Sequence, residues 1–138
     1  MKIGYYPGCS LTGTGKEYDL SLRQVLNALD VELDELIDWS CCGATSAHAT
    51  NHLLSLALPA RNLSIASKQR LNEVMAPCAA CYNRLIVSQH EIETNPLIAK
   101  QVEDVLGEPV SGKVSILNII ELFEKSAKKK LLRKSSTI

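Results

Sequence analysis

The chain has 138 residues, of which 46% are hydrophobic, and it carries 15 acidic and 15 basic side chains. This length suits one domain that buries an ordinary core without disulfide staples. No apolar run approaches the roughly 20 residues that a membrane-spanning helix requires. The first residues also lack the hydrophobic core of a signal peptide. We therefore expect a globular, cytoplasmic protein with no membrane span.

The charges are unevenly distributed along the chain. Six of the basic residues and no acidic residue lie in residues 125–138, so residues 1–124 carry nine basic side chains against 15 acidic ones. A main body this acidic argues against nucleic-acid binding. A basic terminal run is usually a solvated end, although it could also contact an acidic partner. We therefore predict a domain over residues 1–124 and a flexible basic tail over residues 125–138.

The first third of the chain is predicted to form a strand, a helix and a second strand. Residues 2–6 form a short predicted strand, and a turn over residues 7–15 leads into the helix. Residues 31–37 predict the second strand, although their charges also suit a helix. Apolar residues recur at helical spacing along one face of the first helix: Tyr18, Leu22, Val25, Leu26 and Leu29.

The rest of the chain continues the alternation. A helix over residues 46–70 has apolar residues all around its axis, which predicts burial, and Pro59 in its interior predicts a kink or a division. The later elements are predicted as a strand over 73–76, helices over 79–91 and 96–106, a strand over 113–115 and a helix over 116–123. This alternation predicts an α/β fold, a small parallel sheet with helices packed on it.

The cysteines occupy related positions in this pattern. Cys9, the pair Cys41–Cys42, and Cys78 each follow a predicted strand. The carboxyl ends of parallel strands lie on one edge of a sheet, where ligand crevices form. We therefore expect the cysteine-bearing loops to meet at that edge. Glycines beside the cysteines, Gly8 and Gly43, allow the turns and the close approach that a bulky cofactor needs.

The number and spacing of the cysteines favour a metal or cluster site. They are separated by 31, 0, 35 and 2 residues in the order Cys9, Cys41, Cys42, Cys78 and Cys81. An odd number cannot close into intramolecular disulfides, which are also rare in a cytoplasmic protein. Thiolates are soft ligands that select zinc, copper(I) or iron–sulfur clusters. The final CxxC pair is predicted at a helix start, where free N–H groups favour negative sulfur.

Other fates of the cysteines stay open. A structural zinc site uses four ligands, which leaves one cysteine over. A thioredoxin-type CxxC pair leaves Cys9, Cys41 and Cys42 unexplained, and a vicinal disulfide would be strained. Buried cysteine also often fills core space. Ligand number and softness favour an iron–sulfur cluster over zinc, thiol chemistry and packing.

Two histidines follow the vicinal cysteines. His48 and His52 lie one helical turn apart and could donate protons at a cluster. No carboxylate is spaced to form a catalytic triad with them, so ordinary helix positions are the preferred interpretation. We keep both as weak catalytic candidates.

The cysteine pattern resembles the cysteine-rich CCG domain, which has a lone cysteine, a Cys–Cys–Gly unit and a final CxxC pair. The flanking residues are similar to the N-terminal half of the B-type polypeptide of heterodisulfide reductases, and the resemblance covers about residues 1–124. Three segments carry it: Tyr5-Tyr6-Pro7-Gly8-Cys9-Ser10, Trp39-Ser40-Cys41-Cys42-Gly43-Ala44 and Pro77-Cys78-Ala79-Ala80-Cys81.

The resemblance implies a specific chemistry. In that family all five cysteines of a motif ligate one non-cubane [4Fe–4S] cluster. Such polypeptides reduce the coenzyme M–coenzyme B heterodisulfide or an analogue, with electrons from a flavin-bearing subunit through a ferredoxin-like iron–sulfur subunit. The resemblance therefore implies a disulfide-reducing oxidoreductase subunit, with Cys9, Cys41, Cys42, Cys78 and Cys81 as cluster ligands.

The chain departs from that family in one respect. The family's polypeptide has two CCG motifs, whereas this sequence has one. We therefore expect a partner, either a second CCG domain or a second copy of this chain, and little activity without it. The alternative is an electron-relay or structural metal-binding module that holds a cluster or zinc and has no substrate.

Overall fold

A computed structural model describes residues 2–8, 11, 15–41, 52–110 and 114–136 of the chain, with side chains described up to residue 129. The elements within these ranges follow one another as β1 (Lys2–Tyr5), α1 (Lys16–Ala28), β2 (Glu32–Glu35), α2 (His52–Lys68), β3 (Glu73–Met75), α3 (Ala79–Thr94), α4 (Pro96–Leu106), β4 (Ser115–Leu117) and α5 (Ile119–Ser136). Of these helices, none combines the length and the apolar composition needed to span a bilayer.

The strands form one parallel sheet in the order β2-β1-β3-β4. β1 lies inside the sheet, and its last residue, Tyr5, is opposite both Glu35 of β2 and Met75 of β3. Met75 is in turn opposite Leu117 of β4. Parallel neighbours require crossover connections, which the intervening helices supply. The predicted α/β fold with a small parallel sheet and helices packed on it is therefore confirmed.

Helices cover both faces of the sheet. Along a strand, successive side chains point to opposite faces. On one face Tyr5 and Met75 pack in a buried cluster with Leu26 of α1 and Leu122 of α5. On the other face a second cluster joins strand residues to α2 and α3: its members include Tyr6, Leu63, Ala66, Val74, Ala76, Cys81 and Leu85. Burial on both faces explains why β1, β3 and β4 are mostly apolar in sequence.

The helix predicted over residues 46–70 corresponds to α2, and residues 46–51 lie outside the described ranges. Pro59 is buried inside α2, but the helix runs from His52 to Lys68 without interruption. The predicted division is therefore wrong. Proline removes one backbone N–H donor from the helix, and burial of Leu56, Ala60 and Leu63 offsets that loss.

The apolar face predicted for α1 is only partly buried. Leu22 and Leu26 contact the core, whereas Tyr18 and Val25 are 48% and 47% exposed. The contact with the sheet is thus a narrow stripe one helical turn apart. Tyr18 and Val25 instead line a shallow apolar groove of about 250 Å³ between α1 and α5, with Phe123 on its other side.

The boundaries of the last strand and helix also differ from prediction. Ile116 and Leu117 belong to β4, because they pair with Val74 and Met75. α5 begins after Asn118, whose Oδ1 accepts the Glu121 N–H at 2.8 Å while the Glu121 carboxylate accepts the Asn118 N–H at 3.2 Å. This reciprocal capping box fixes the helix start. α5 then extends to Ser136, into the basic segment 125–138, whose flexibility stays a prediction.

Candidate metal centre

Three chain segments leave the sheet side by side at its carboxyl edge. The Tyr5 carbonyl oxygen accepts the Leu36 N–H at 3.0 Å, and the Met75 carbonyl oxygen accepts the Tyr6 N–H at 3.0 Å. The segments that continue from β1, β2 and β3 therefore start from adjacent positions. These segments carry the cysteines in the sequence.

The segment after β1 contacts Cys81 through Gly8. Gly8 has a φ of +76°, which disfavours any residue with a Cβ. A Cβ built on Gly8 would lie 2.8 Å from the Cys81 Sγ, closer than two such atoms can approach. Glycine at this position therefore satisfies both the backbone conformation and the space beside the thiol. The contact brings the residue before Cys9 against the last cysteine of the CxxC pair.

Tyr6 connects the same segment to the one that precedes the vicinal cysteines. Its hydroxyl donates a 2.8 Å hydrogen bond to the Ser40 carbonyl oxygen. Its ring packs on Trp39 with a centroid distance of 5.5 Å and an interplanar angle of 48°. Tyr6 is fully buried, so this contact fixes the path of the chain immediately before Cys41.

Asn62 of α2 binds Ser40 from another direction. The Asn62 Oδ1 accepts the Ser40 N–H at 3.0 Å, and the Asn62 Nδ2 donates to the Ser40 carbonyl oxygen at 2.9 Å. Asn62 is 0% exposed, so its amide satisfies its buried polar atoms by these bonds. By contrast, the Ser40 Oγ is shielded from solvent and has no hydrogen-bond partner among the described residues.

Two further side chains of α2 and the turn after it hold the segment that follows β2. Arg61 donates to the Asp38 carbonyl oxygen at 2.8 Å and to the Asp38 carboxylate at 2.9 Å. The Gln69 Oε1 accepts the Ile37 N–H at 2.6 Å. Asp38 has a φ of +60°, a conformation that a short polar residue tolerates better than a branched one. α2 and its C-terminal turn thus fix the chain from Ile37 to Ser40.

The CxxC pair lies at the start of α3. Cys78 is the residue before the first helical turn and is partly buried, while Cys81 is 6% exposed. The Tyr82 N–H donates to the Cys78 carbonyl oxygen at 2.9 Å, as the first helical hydrogen bond requires. The first turn of α3 contains no acidic residue. A helix start of this kind favours thiolate at both positions.

A charged network borders the site on the α1 side. The Tyr5 hydroxyl donates to Asp19, and the Arg23 guanidinium lies 4.6 Å from the centre of the Tyr5 ring. Arg23 also binds Asp19 at 3.0 Å and Glu35 at 2.6 Å. Burial, together with the hydrogen bond to Asp19, raises the pKa of Tyr5 well above its ordinary value. Trp39 joins this network because its Nε1 donates to Glu35 at 3.3 Å.

The predicted site residues are distributed unequally over the structure. Cys41 is exposed, Cys78 partly buried and Cys81 buried. Cys9, Cys42 and His48 lie outside the described residues. His52 is the exposed first residue of α2, and no contact described for it reaches the cysteines. The ligand role of the five cysteines and the catalytic role of the histidines stay predictions.

The described ranges contain no group of three or more His, Cys, Asp or Glu side chains close enough to bind one metal ion. Three positioning residues were not identified from the sequence: Tyr6, Ser40 and Asn62. Only Asn62 left a signal, since a polar amide within the otherwise apolar stretch of α2 needs buried partners.

Comparison with known proteins assigns the family. The cysteine-rich domain family, CCG, matches residues 3–86. The chain is 27% identical to a heterodisulfide reductase-like protein of the B type from Archaeoglobus profundus, with 98% of this chain and 46% of that protein aligned. It is 32% identical to the 8-methylmenaquinol:fumarate reductase membrane anchor subunit of Wolinella succinogenes, with 67% of this chain and 32% of that protein aligned.

The extent of these matches sets what they establish. The chain spans less than half the length of either relative. The family match covers β1 and continues into α3, which includes all five cysteines. The resemblance found in the sequence is therefore confirmed, and the chain belongs to the cysteine-rich CCG domain family.

Proposed function

We propose that this chain is the iron–sulfur domain of a reductase-type complex and that its five cysteines hold one [4Fe–4S] cluster of the non-cubane type. The contact between Gly8 and the Cys81 Sγ carries the proposal, because it links the first and last cysteine segments across 73 positions of sequence. The proposed ligands are Cys9, Cys41, Cys42, Cys78 and Cys81.

Two features of the described residues fit a sulfur-rich cofactor. The backbone at Gly8 leaves no room for a Cβ beside the Cys81 thiol, as expected where a loop closes tightly around a site. The Ser40 Oγ, next to Cys41 in sequence, is a buried donor without a partner among the described residues. The donor set is soft, since it consists of thiols, and it suits iron–sulfur clusters better than hard cations.

The reaction proposed for the complex is the reductive cleavage of a small disulfide. Two electrons and two protons convert one S–S bond into two thiols. When bound, the cluster would supply electrons and a Lewis-acidic iron for sulfur. The family resemblance supports the coenzyme M–coenzyme B heterodisulfide or an analogue as substrate. The name of the Archaeoglobus profundus relative is consistent with this class of reaction.

Partners follow from the length of the relatives. This chain aligns with 46% of one relative and 32% of the other, so each of them has further sequence. We propose that a second CCG domain, or a second copy of this chain, completes the site. A flavin-bearing subunit and a ferredoxin-like subunit would deliver electrons. The alternative is an electron-relay or structural zinc module with no substrate of its own.

The test is the content of iron, zinc and acid-labile sulfide per chain after purification without oxygen. The proposal expects about four iron and four sulfide. Cys78→Ser and Cys81→Ser should each lower the iron content, whereas Ala80→Ser, an exposed change between them, should not. About one zinc per chain, with no sulfide even after anaerobic reconstitution, would establish the structural alternative.

A second measurement separates disulfide reduction from relay. The reduced, cluster-loaded protein is mixed with the heterodisulfide, and its absorption and electron paramagnetic resonance spectra are recorded. A saturable spectral change is expected if the disulfide reaches the cluster. An unchanged spectrum at saturating disulfide, with its partner domain present, would instead support the relay.

A further inference from the structure

We propose that the Ser40 hydroxyl is a positioning and tuning group of the site, and that it donates a hydrogen bond to sulfur of the bound cluster. This inference rests on the proposed function, because it concerns the loaded site. It starts from the one buried side-chain oxygen or nitrogen without a hydrogen-bond partner among the described residues, the Ser40 Oγ.

The main chain of Ser40 is held on both of its polar groups. Its N–H donates to the Asn62 Oδ1 at 3.0 Å. Its carbonyl oxygen accepts from the Asn62 Nδ2 at 2.9 Å and from the Tyr6 hydroxyl at 2.8 Å. Asn62 and Tyr6 are both 0% exposed. A backbone fixed by three bonds to buried side chains leaves the hydroxyl little choice of position.

The hydroxyl itself is in an unfavourable environment without a ligand. Buried polar atoms in proteins almost always have a hydrogen-bond partner, and exceptions call for an explanation. A serine hydroxyl carries one donor hydrogen and two acceptor lone pairs. A negatively charged sulfur is a suitable acceptor, because donors to a charged partner form the stronger bonds.

The position of Ser40 in the chain gives it access to such a sulfur. It directly precedes Cys41, and adjacent Cα atoms are about 3.8 Å apart. Its Oγ is therefore within reach of the sulfurs around Cys41 once a cluster is bound there. Hydrogen bonds to cluster sulfur stabilise the more negative, reduced state and so raise the reduction potential.

The expected effects of Ser40→Ala differ between the two states of the protein. Without the cluster, the substitution removes a buried donor that has no partner among the described residues, so the melting temperature should stay unchanged or rise. With the cluster, it removes a donor, so the reduction potential should shift to a more negative value. The iron content should be maintained, since Ser40 is not proposed as a ligand.

Ser88→Ala provides the matched control. Ser88 is also buried, but its Oγ donates to the Leu56 carbonyl oxygen at 2.6 Å. It lies seven positions after Cys81 on α3, about 10 Å along the helix axis. Ser88→Ala should therefore lower the melting temperature of both states and leave the reduction potential unchanged, the reverse of the pattern for Ser40→Ala.

The experiment combines potentiometric titration of the loaded proteins with resonance Raman spectra in H₂O and D₂O. The Fe–S bands of the unsubstituted protein should shift in D₂O, Ser40→Ala should lose part of that shift, and Ser40→Thr, which keeps the hydroxyl, should retain it. If Ser40→Thr does not fold, the isotope shift of the unsubstituted protein and its loss in Ser40→Ala still decide.

An equal potential and an equal isotope shift in Ser40→Ala would overturn this inference and leave the proposed function intact. A protein that binds neither iron nor sulfide before any substitution would overturn the proposed function itself. The two failures are therefore distinguishable. The expected result is a negative shift of potential in Ser40→Ala alone, without loss of iron.

Discussion

Asn62 and Ser40 form a two-point hydrogen-bonded pair across 22 positions of sequence, in which one amide side chain binds both the N–H and the carbonyl oxygen of one residue. The arrangement imitates the pairing of neighbouring strands, but a helix side chain replaces one of the backbones. It joins α2 to the segment before Cys41 at a point where β2 has already ended. The path of this segment therefore depends on α2.

Asn62→Asp should disrupt this pair selectively. One carboxylate oxygen can still accept the Ser40 N–H, but the other would face the Ser40 carbonyl oxygen without a hydrogen to share. An unpaired buried polar group costs about 1–3 kcal/mol, and more when it is charged. We expect a lower free energy of unfolding and a lower iron content, measured by urea titration and by metal analysis after reconstitution.

Gln89→Leu is the control for Asn62→Asp. The Gln89 amide also donates to a backbone carbonyl oxygen, that of Val114, at 2.8 Å. That segment leads into β4 and carries no cysteine. Its loss should reduce stability without reducing the iron content of the folded fraction. Equal iron losses in both variants would show that metal content follows general stability and would reject a positioning role for Asn62.

Gly8→Ala should affect the site through two effects that a second glycine separates. Gly8 and Gly107 have nearly equal φ angles of +76° and +73°, so alanine meets similar backbone strain at either position, about 1 kcal/mol. Only at Gly8 would the new Cβ collide with the Cys81 Sγ, since nothing lies within 4 Å of the position at Gly107. Both variants should lose stability, but only Gly8→Ala should lose iron.

Iron analysis and thermal melts of the two glycine variants test this comparison. The difference between their melting temperatures reports the contact with Cys81, since the backbone strain is shared. Full iron content in Gly8→Ala would mean that Cys81 moves without consequence. The five-cysteine proposal would then lose the contact that supports it.

The architecture was predictable from the sequence because hydrophobic periodicity and alternation are local signals. The limits of β4 were misplaced because Ile116 and Leu117 are apolar residues beside a helix that begins with apolar residues as well. The pair Asn118 and Glu121, spaced as a capping box, marked the true helix start. The capping signal was therefore more informative than the run of apolar residues.

The site contacts could not be predicted in the same way. Tyr6 meets Ser40 across 34 positions of sequence, and no local pattern encodes that meeting. The cysteines themselves indicated a metal site, because their number and their chemistry do not depend on the fold. The side chains that hold the loops became identifiable only after β1, β2 and α2 had been placed together.

Tyr6→Phe should weaken the hold on the same Ser40 carbonyl oxygen that Asn62 binds. The ring can stay on Trp39, and only the hydroxyl donor is lost, so we expect a decrease of about 1 kcal/mol in the free energy of unfolding. Because the Asn62 amide still binds that oxygen, the carbonyl would not be unpaired. Combining Tyr6→Phe with Asn62→Leu removes both donors, and the combined loss of stability should then exceed the sum of the two single losses.

A double-mutant cycle measured by urea unfolding checks this coupling. Residues that share a hydrogen-bond acceptor usually show interaction energies of about 0.5 kcal/mol or more. Tyr18→Phe combined with Asn62→Leu serves as the control cycle, because Tyr18 is exposed on α1. Strict additivity in both cycles would show that Tyr6 and Asn62 do not act on the Ser40 segment together.

The raised pKa of Tyr5 predicts a stability change at alkaline pH. Burial and the hydrogen bond to Asp19 keep Tyr5 protonated in the folded chain, whereas in the unfolded chain a tyrosine ionises near pH 10. Above about pH 10 the unfolded state therefore binds fewer protons than the folded state. The contribution of Tyr5 to stability is complete below that pH and declines as the pH rises, by up to about 1.4 kcal/mol per pH unit.

Urea unfolding at several pH values between about 8 and 11, compared between the unsubstituted protein and Tyr5→Phe, isolates this effect. Other tyrosines and the cysteines titrate in both proteins, so their contributions cancel in the difference. At neutral pH, Tyr5→Phe should be less stable by about 1 kcal/mol, because Asp19 loses one donor while keeping Arg23. The gap should narrow as the pH rises above about 10. Tyr18→Phe, an exposed change, should keep the full alkaline decline. A gap between the unsubstituted protein and Tyr5→Phe that stays constant up to about pH 11 would mean that Tyr5 ionises as easily in the folded chain as in the unfolded one, contrary to its burial beside Asp19.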